Sequence, residues 1–297
     1  MRKLLNAIVM VFGAGVLAAV VLLALAWWKT GRDLARTYSV ADLPLSIRRD
    51  PGTLLQGAHI YATRGCVDCH GGDGGGKLVF DAGPVIRVVG PNITPAGVAK
   101  GMSADQLAAV IRHGVKPDGH PLVFMPSGDF QALGDADTAA LVAYVQAMRP
   151  VSHDPGKTRI RPLGYVLYLF GRFPLIPAAR IDHAPRARTA PEPAPTPAYG
   201  RYLAQACTGC HGPGLAGQHV PGTPPSFPTA QDLTPGNLAA WTQDDFRRAL
   251  RTGKRPDGST IDPFMPWRNF AQMNDVEIAA LWAYLRSLPA FPPHSAR

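Results

Sequence analysis

The longest apolar run of the chain lies near its N-terminus. Residues 4–26 carry no charge, follow two basic residues and precede Trp27 and Trp28. Twenty-three residues, each rising about 1.5 Å in a helix, can cross a hydrocarbon layer of about 30 Å. The pattern predicts a transmembrane helix within residues 1–30, with the basic pair on the cytoplasmic side and the tryptophans at the opposite interface. The rest of the chain would then lie outside the cytoplasm.

A cleaved signal peptide is the alternative interpretation of this segment. Ala24-Leu25-Ala26 fits the small-x-small pattern of a cleavage site. The apolar regions of secretory signals are usually only about 7–15 residues long, so the length of the run favours a retained anchor. Both interpretations export the chain.

Two later stretches repeat the same series of helix and turn signals. In the first, Ser103 and Gln106 form a capping-box pattern that predicts a helix running to Gly114. In the second, Thr242 and Asp245 predict its counterpart, which ends at Gly253. Each helix leads into a Pro-Asp-Gly turn, and a last helix follows further along the chain. The pattern predicts two helical units with the same order of elements.

The last helix of each unit carries a leucine and a tyrosine three residues apart, on one apolar face. These pairs are Leu141 with Tyr144 and Leu281 with Tyr284. We expect each face to pack against an earlier helix of its own unit. There Gly57 and Gly200 would allow the two backbones to approach closely.

Composition agrees with two domains. A chain of 297 residues is long enough for two domains of about 150 residues each. Its 31 glycines and 30 prolines exceed the average shares of about 7% and 5%, which indicates many turns between short helices. Long strands are not expected.

The net charge of +9 is not evenly distributed. Residues 1–49 hold seven Lys or Arg against two Asp or Glu, and residues 151–198 hold seven against three. The basic excess therefore lies in the N-terminal flank and in the segment between the two units. We expect membrane phospholipid or an acidic protein surface as its counterpart, and no nucleic acid.

All four cysteines fall in two Cys-x-x-Cys-His motifs. They are Cys66, Cys69 and His70, and Cys207, Cys210 and His211. This spacing is the attachment pattern of haem c, in which the two thiols bind the haem vinyl groups and the histidine ligates iron. A zinc site would need both pairs to meet across 137 intervening residues, and a redox pair does not need the following histidine. The pattern predicts two covalent haems c, one per motif.

Two methionines lie at matching distances behind these motifs. Met125 follows His70 by 55 residues, Met265 follows His211 by 54, and each stands between Phe and Pro. The other methionines, such as Met148, have no counterpart in the repeat. A thioether is a soft ligand that suits haem iron in an apolar pocket. We therefore expect Met125 and Met265 to be the sixth ligands of the two irons.

The order of these motifs resembles a known family. Residues 50–150 and 197–290 resemble two class I cytochrome c domains, and the motif order is similar to that of the membrane-bound cytochrome c subunits of bacterial alcohol, aldehyde and gluconate dehydrogenase complexes. The resemblance implies a mainly α fold with two tandem cytochrome c domains after one N-terminal transmembrane helix, joined by a linker over residues 151–196. It also implies His/Met ligation, by His70 with Met125 and by His211 with Met265.

The resemblance further implies a place in respiration. Such a subunit relays electrons from a periplasmic dehydrogenase to a terminal oxidase or another cytochrome, with its haem domains in the periplasm and its helix in the bacterial inner membrane. Those subunits typically carry three haem motifs, and this chain carries two. In class I domains a proline carbonyl commonly accepts the Nδ1 proton of the haem histidine. Pro91 is the candidate in the first unit, and its counterpart is Gln231.

Other functions of a dihaem chain are less consistent with the residues. A dihaem enzyme of the peroxidase kind would need one iron with a displaceable sixth ligand. Oxidation of a sulfur compound at a cysteine-ligated haem would need a spare cysteine, and a haem sensor would need a signalling domain. Electron transfer without catalysis remains the favoured interpretation.

The linker contains one apolar segment that the repeat does not explain. Residues 163–170 carry no charge and lie among three arginines, Arg159, Arg161 and Arg172, and a proline-rich tether follows over residues 184–198. Eight residues cannot span a bilayer. We expect a short element across the seam between the domains; the alternative is a docking patch for a partner enzyme or a membrane surface.

Overall fold

The structure is a computed structural model that describes residues 1–40 and 42–290. Its helices hold 47% of the residues and its strands 6%, so the predicted mainly α class is confirmed. The helices are α1 (Arg2–Leu34), α2 (Pro51–Thr63), α3 (Cys66–His70), α4 (Ala104–His113), α5 (Ser127–Phe130), α6 (Asp135–Ala147), α7 (Pro162–Leu169), α8 (Pro197–Leu203), α9 (Gln205–His211), α10 (Pro235–Leu238), α11 (Gln243–Thr252), α12 (Trp267–Phe270) and α13 (Asp275–Ser287). The strands are β1 (Lys77–Asp81), β2 (Ile86–Gly90) and β3 (Arg159–Ile160), and a 3-10 turn covers Pro177–Arg180.

The predicted N-terminal helix is present as α1, which is long and apolar enough to cross a membrane. Almost all of its apolar side chains are exposed to the surroundings. Ala26 and Thr30 are fully buried, which shows that another part of the chain covers the end of the apolar run. Thr30 donates its hydroxyl to the carbonyl of Ala26, which satisfies that group within the helix.

The predicted caps of the repeated helices are confirmed. Reciprocal capping boxes begin α4 at Ser103 and α11 at Thr242. Both helices end at a glycine in the left-handed region, Gly114 with φ 63° and Gly253 with φ 68°. Glycine adopts left-handed backbone more readily than residues that carry a Cβ atom, so the same local signals end the same helix in both units.

A close helix crossing forms the centre of each unit. Helix α2 packs against α6, and α8 packs against α13. A Cβ atom on Gly57 would lie 2.1 Å from the carbonyl oxygen of Ala140, and one on Gly200 would lie 1.9 Å from that of Ala280. Glycine is therefore required at both crossings, as the sequence predicts.

The first unit contains a small antiparallel sheet that the sequence does not predict. Strand β1 pairs with β2, and β2 pairs with the two-residue strand β3 of the linker. In the second unit the corresponding contact is reduced to one bridge between Gln218 and Ala230. Strand β3 lies about 70 residues after β2, and pairing at that separation leaves no local signal in either segment.

The linker differs from the expected arrangement. Helix α7 packs against α1, and Gly164 of α7 lies close to the carbonyl of Val85, between the two strands of the hairpin. The expected position across the seam between the units is therefore wrong for α7. Its apolar side chains, Leu167 among them, share a cluster with Leu34 of α1 and with Phe173, which explains the observed position.

The proline-rich tether is held against the first unit by buried charges. The carboxylate of Asp42 accepts hydrogen bonds from Arg112 at 3.3 Å and from Arg188 at 2.8 Å. Arg112 also donates to Asp135 at 2.7 Å, and the backbone N–H of Asp135 donates to the carbonyl of Arg188. Because Arg112 and Arg188 share the carboxylates of Asp42 and Asp135 as partners, this cluster joins the segment after α1, the first unit and the tether.

The two units meet through reciprocal contacts. His59 of α2 bonds to both carboxylate oxygens of Glu277 on α13, at 2.9 Å each. Tyr202 of α8 is the counterpart of His59 in the second unit, and Asp137 of α6 is the counterpart of Glu277 in the first. The Tyr202 hydroxyl donates a hydrogen bond to Asp137. The same two positions of the repeat thus pair in both directions, as they do in an isologous dimer.

We predict that Gly57→Ala or Gly200→Ala lowers the free energy of unfolding by about 2–4 kcal/mol, because the new methyl group would overlap a backbone carbonyl. Thermal unfolding of each variant measures this loss. Gly128→Ala is the matched control: a Cβ there has no atom within 4 Å. That helical substitution should be neutral or slightly stabilising. Equal stability of Gly57→Ala and Gly128→Ala would contradict the close crossing.

We predict a pH-dependent contribution from the His59–Glu277 pair. The hydrogen bond that His59 donates to the Glu277 carboxylate raises the pKa of His59, although burial opposes this shift. The stabilisation is therefore complete below the ordinary histidine pKa of about 6.5 and is lost as pH rises through the higher pKa of the folded state. His59→Gln should lower the free energy of unfolding by about 1 kcal/mol at acidic pH and by less at alkaline pH.

Tyr202→Phe is the control for this pair, since it removes the equivalent contact without removing a group that titrates near neutrality. Burial raises the pKa of Tyr202 above its ordinary value, so its phenol stays protonated throughout the range. Thermal melts between pH 5 and about pH 9 separate the two variants. The interpretation is wrong if the effect of His59→Gln does not change with pH.

Candidate functional site

The two cysteine motifs lie on short helices, α3 and α9. None of these four cysteines forms a disulfide, and all four are half-buried. Burial raises the pKa of Cys66 to about 12 and that of Cys207 to about 11, so both thiols are protonated at neutral pH. Among the described residues, no group of three or more His, Cys, Asp or Glu side chains is arranged to hold a metal ion.

The histidine of each motif is fixed by one backbone carbonyl. His70 Nδ1 lies 2.9 Å from the carbonyl oxygen of Pro91, and His211 Nδ1 lies 2.7 Å from that of Gln231. A carbonyl can only accept, so Nδ1 carries the proton and the lone pair is on Nε2. Burial lowers the pKa of both imidazoles, which favours the neutral form. Both histidines thus present a metal-binding nitrogen in a fixed orientation.

The expected carbonyl acceptor in the first unit, Pro91, is present. In the second unit Gln231 supplies its backbone carbonyl in the same way, so the contact does not require proline. The chain reaches both acceptors through the same turn: Gly76 donates its N–H to the carbonyl of His70, and Gly217 donates to that of His211.

The two methionines occupy equivalent backbone positions. Met125 and Met265 each accept a hydrogen bond at 2.8 Å from the N–H two residues ahead, at Ser127 and Trp267. The intervening prolines have nearly identical ψ angles, 55° and 51°. Met125 packs against the apolar cluster that includes Cys66, and Met265 against the cluster that includes Cys207. Each methionine therefore packs against the same apolar core as the first cysteine of its own motif.

Met148 and Met273 have a different environment from Met125 and Met265. Met148 is 9% exposed and Met273 is 1% exposed, and both are members of the buried cores. This placement agrees with their lack of a counterpart in the repeat.

A cavity of about 460 Å³ lies between the motif and the methionine of the second unit. Its wall includes Cys207, Cys210, His211, Met265, Leu238, Trp241, Phe246 and Leu250. Two thiols, an imidazole with a free Nε2 and a thioether thus surround one largely apolar space. These thiols, this imidazole and this thioether, with the apolar lining around them, fit a covalently attached haem.

The segments that follow the methionines lie at the seam between the units. Asn269, four residues after Met265, donates a hydrogen bond to Asp68 in the first motif. Asp129, four residues after Met125, lies so near Gly209 of the second motif that a Cβ there would be 3.1 Å from its carboxylate. Burial raises the pKa of Asp129 to about 6. Each candidate site is therefore supported by the other unit, a feature that sequence analysis missed.

Comparisons with known proteins agree with this geometry. The family model described as cytochrome c matches residues 197–289, and the model described as cytochrome c oxidase, cbb3-type, subunit III matches residues 52–145. The chain contains two cytochrome c domains. Such domains imply covalently bound haem c, and both candidate sites have the residues for it.

Longer relatives align along most of the chain. The fructose dehydrogenase cytochrome subunit of Gluconobacter japonicus is 26% identical over 86% of the chain and 56% of its own length. The cytochrome c subunit of the quinone alcohol dehydrogenase of Gluconacetobacter polyoxogenes is 28% identical over 82% of the chain and 58% of its own length. The chain thus spans little more than half of these relatives. A diheme c-type cytochrome of Cereibacter sphaeroides is 27% identical over 80% of the chain and 87% of its own length.

The similarity to cytochrome c subunits of dehydrogenase complexes that the motif order indicates is therefore confirmed. The signals that located both cytochrome c domains were the cysteine motifs and the paired methionines. The residues that sequence analysis did not find, such as Asp129 and Asn269, act across the seam. Their only signal is that they occupy the same position in the two repeats, four residues after a methionine.

Proposed function

We propose that this chain is a membrane-anchored dihaem cytochrome c that relays electrons between a dehydrogenase and the respiratory chain. The observation that carries the proposal is the state of His70 and His211. Each has its Nδ1 bonded to a backbone carbonyl, which leaves Nε2 available as a metal ligand. In each unit a methionine and the first cysteine of the motif pack against one apolar core. Cytochrome c subunits of dehydrogenase complexes transfer electrons through haem c, which is the chemistry that these two sites suit.

The roles of the residues follow from their chemistry. The thiols of Cys66 and Cys69, and of Cys207 and Cys210, hold one haem c in each domain. A haem c held there supplies a one-electron iron couple. His70 and Met125 would hold the iron of the first haem, and His211 and Met265 that of the second. With two protein ligands for each iron, neither site would offer a coordination position to a substrate.

The apolar walls have a second role. Residues such as Phe246 and Leu250 exclude water from the second cavity. A low local dielectric disfavours the more highly charged oxidised state and so tends to raise the reduction potential. The carbonyl that holds each histidine keeps its ring orientation fixed, which limits reorganisation when the charge of the site changes.

The location proposed for the chain is the bacterial inner membrane with both haem domains in the periplasm. The apolar helix α1 supports the anchor, and the basic residues before it support a cytoplasmic N-terminus. Attachment of haem c to the two motifs requires export of the domains, which is consistent with this orientation.

The proposed electron donor is a periplasmic dehydrogenase, and a terminal oxidase or another cytochrome is the proposed acceptor. The names of the fructose and alcohol dehydrogenase relatives support a dehydrogenase. The alternative is a dihaem enzyme of the peroxidase kind, which would require one of the two methionines to leave its iron.

We predict that Met125→Ala and Met265→Ala each convert one haem of the purified protein to the high-spin form and leave the other low-spin. Removal of the thioether leaves that iron without its sixth protein ligand. Optical and electron paramagnetic resonance spectra measure the spin states. Met148→Leu and Met273→Leu are the matched controls, because both methionines are core residues of the same domains.

A high-spin haem in either control, or two low-spin haems in Met125→Ala, would contradict the assigned ligands.

The intact mass of the purified chain should include two covalent haems. Rapid turnover of hydrogen peroxide by the unmodified protein would favour the peroxidase alternative over electron relay.

The partner can be identified by gentle detergent extraction and affinity isolation of the chain. We expect mass spectrometry to find a dehydrogenase, and its substrate should reduce the haems of the isolated complex. A chain that is isolated alone at all salt concentrations, yet accepts electrons from a soluble cytochrome, would instead be a membrane-tethered carrier outside a complex.

A further inference from the structure

The position of α7 beside α1 is the starting observation. Lys29 Nζ lies 5.0 Å from the centroid of the Tyr168 ring, and the Tyr168 hydroxyl donates to Asp33 at 2.9 Å. Ala26 and Thr30 on α1 are fully buried, whereas most of the helix before them is exposed. The linker helix therefore lies along the last turns of α1.

This contact fixes the depth of α7 relative to a bilayer that α1 would cross. Ala26 is the last residue of the uncharged run, and Trp27 and Trp28 directly after it are 65% and 58% exposed. Tryptophan next to the end of an apolar span marks the membrane–water interface. A helix that lies beside Ala26 to Asp33 is consequently at the level of the lipid headgroups.

The outer side of α7 is apolar although nothing in the described part of the chain covers it. Leu163 is 42% exposed and Phe170 is 63% exposed, whereas Leu167 and Tyr168 pack into the cluster beneath. One side of α7 thus packs against the protein, and the other side exposes a leucine and a phenylalanine. Such a helix is suited to the boundary between lipid headgroups and acyl chains.

The charges around this helix are mainly basic. Arg172 and Arg180 are exposed after α7, and Arg32, whose side chain is 61% exposed, lies 3.5 Å from the carboxylate of Asp33. The nearby acid, Asp33, is paired with Lys29 and bonded to Tyr168. The free charge of the surface is therefore positive, which complements anionic phospholipid.

We propose that α7 is a second, interfacial membrane contact of this protein, with Leu163 and Phe170 in the outer part of the bilayer and the flanking arginines on anionic phospholipid headgroups. The inference rests on the proposed function in one respect, that α1 crosses the membrane. Because α7 also packs against the hairpin of the first cytochrome c domain, the contact holds that domain at a fixed tilt. A protein partner is the competing occupant, but it would have to bind at the depth of the tryptophans.

Site-specific accessibility in nanodiscs tests this contact. The haem-loaded full chain carries Phe170→Cys, and its four native cysteines are bound to haem, so the new thiol reacts alone. The nanodiscs contain phosphatidylglycerol and phosphatidylcholine and no partner protein. Leu55→Cys on α2, where Leu55 is 72% exposed, is the matched control. Leu163→Cys provides a second probe if Phe170→Cys does not fold.

We expect a charged, membrane-impermeant maleimide to react with Phe170→Cys at least about tenfold more slowly than with Leu55→Cys. A nitroxide attached at residue 170 should be relaxed more strongly by oxygen than by a nickel chelate. Protection should weaken in nanodiscs of pure phosphatidylcholine.

Equal reaction rates at both positions would overturn the proposal, as would protection that begins only when a dehydrogenase is added. Protection that is unchanged without phosphatidylglycerol would overturn the role of anionic lipid. If the chain does not enter nanodiscs at all, the membrane anchor of the proposed function fails instead, so the two failures are distinguishable.

Discussion

The backbone contact at Gly57 and Gly200 is the constraint on which each domain depends. Since no side chain separates the two helices there, α2 lies directly on α6, and α8 on α13. Helices α3 and α9 follow the crossing helices after only two residues and one residue, respectively. The crossing therefore fixes where each Cys-x-x-Cys-His motif begins, and the turn after it brings a carbonyl to each histidine.

Much of this arrangement was predictable because its signals are local or repeated. Caps such as Ser103, stops such as Gly114 and the paired Met125 and Met265 are each specified by a few neighbouring residues. The sheet, the position of α7 and the seam between the domains were not predicted. They depend on contacts between distant segments, as between Tyr202 and Asp137, and neither residue alone indicates its partner.

The seam gives each candidate haem site a contribution from the opposite domain. Asn269 reaches Asp68 in the first motif, and Asp129 lies against Gly209 in the second. The equivalent positions differ in chemistry: one contact is a hydrogen bond, and the other places the half-buried carboxyl group of Asp129 beside a glycine. Two sites with the same ligand set thus have different electrostatic surroundings, which is a physical basis for unequal reduction potentials.

Two basic segments that are far apart in the sequence contact each other in the folded chain. The basic excess of the sequence lies in residues 1–49 and 151–198, which are separated by the whole first domain. In the folded chain α7 packs on α1, and Asp42 joins the segment after α1 to the tether through Arg188. Basic residues of the two segments therefore lie together beside the end of α1, although Arg2 and Lys3 lie at its other end. If α1 anchors the chain as proposed, these residues lie next to the bilayer, where anionic phospholipid is their counterpart.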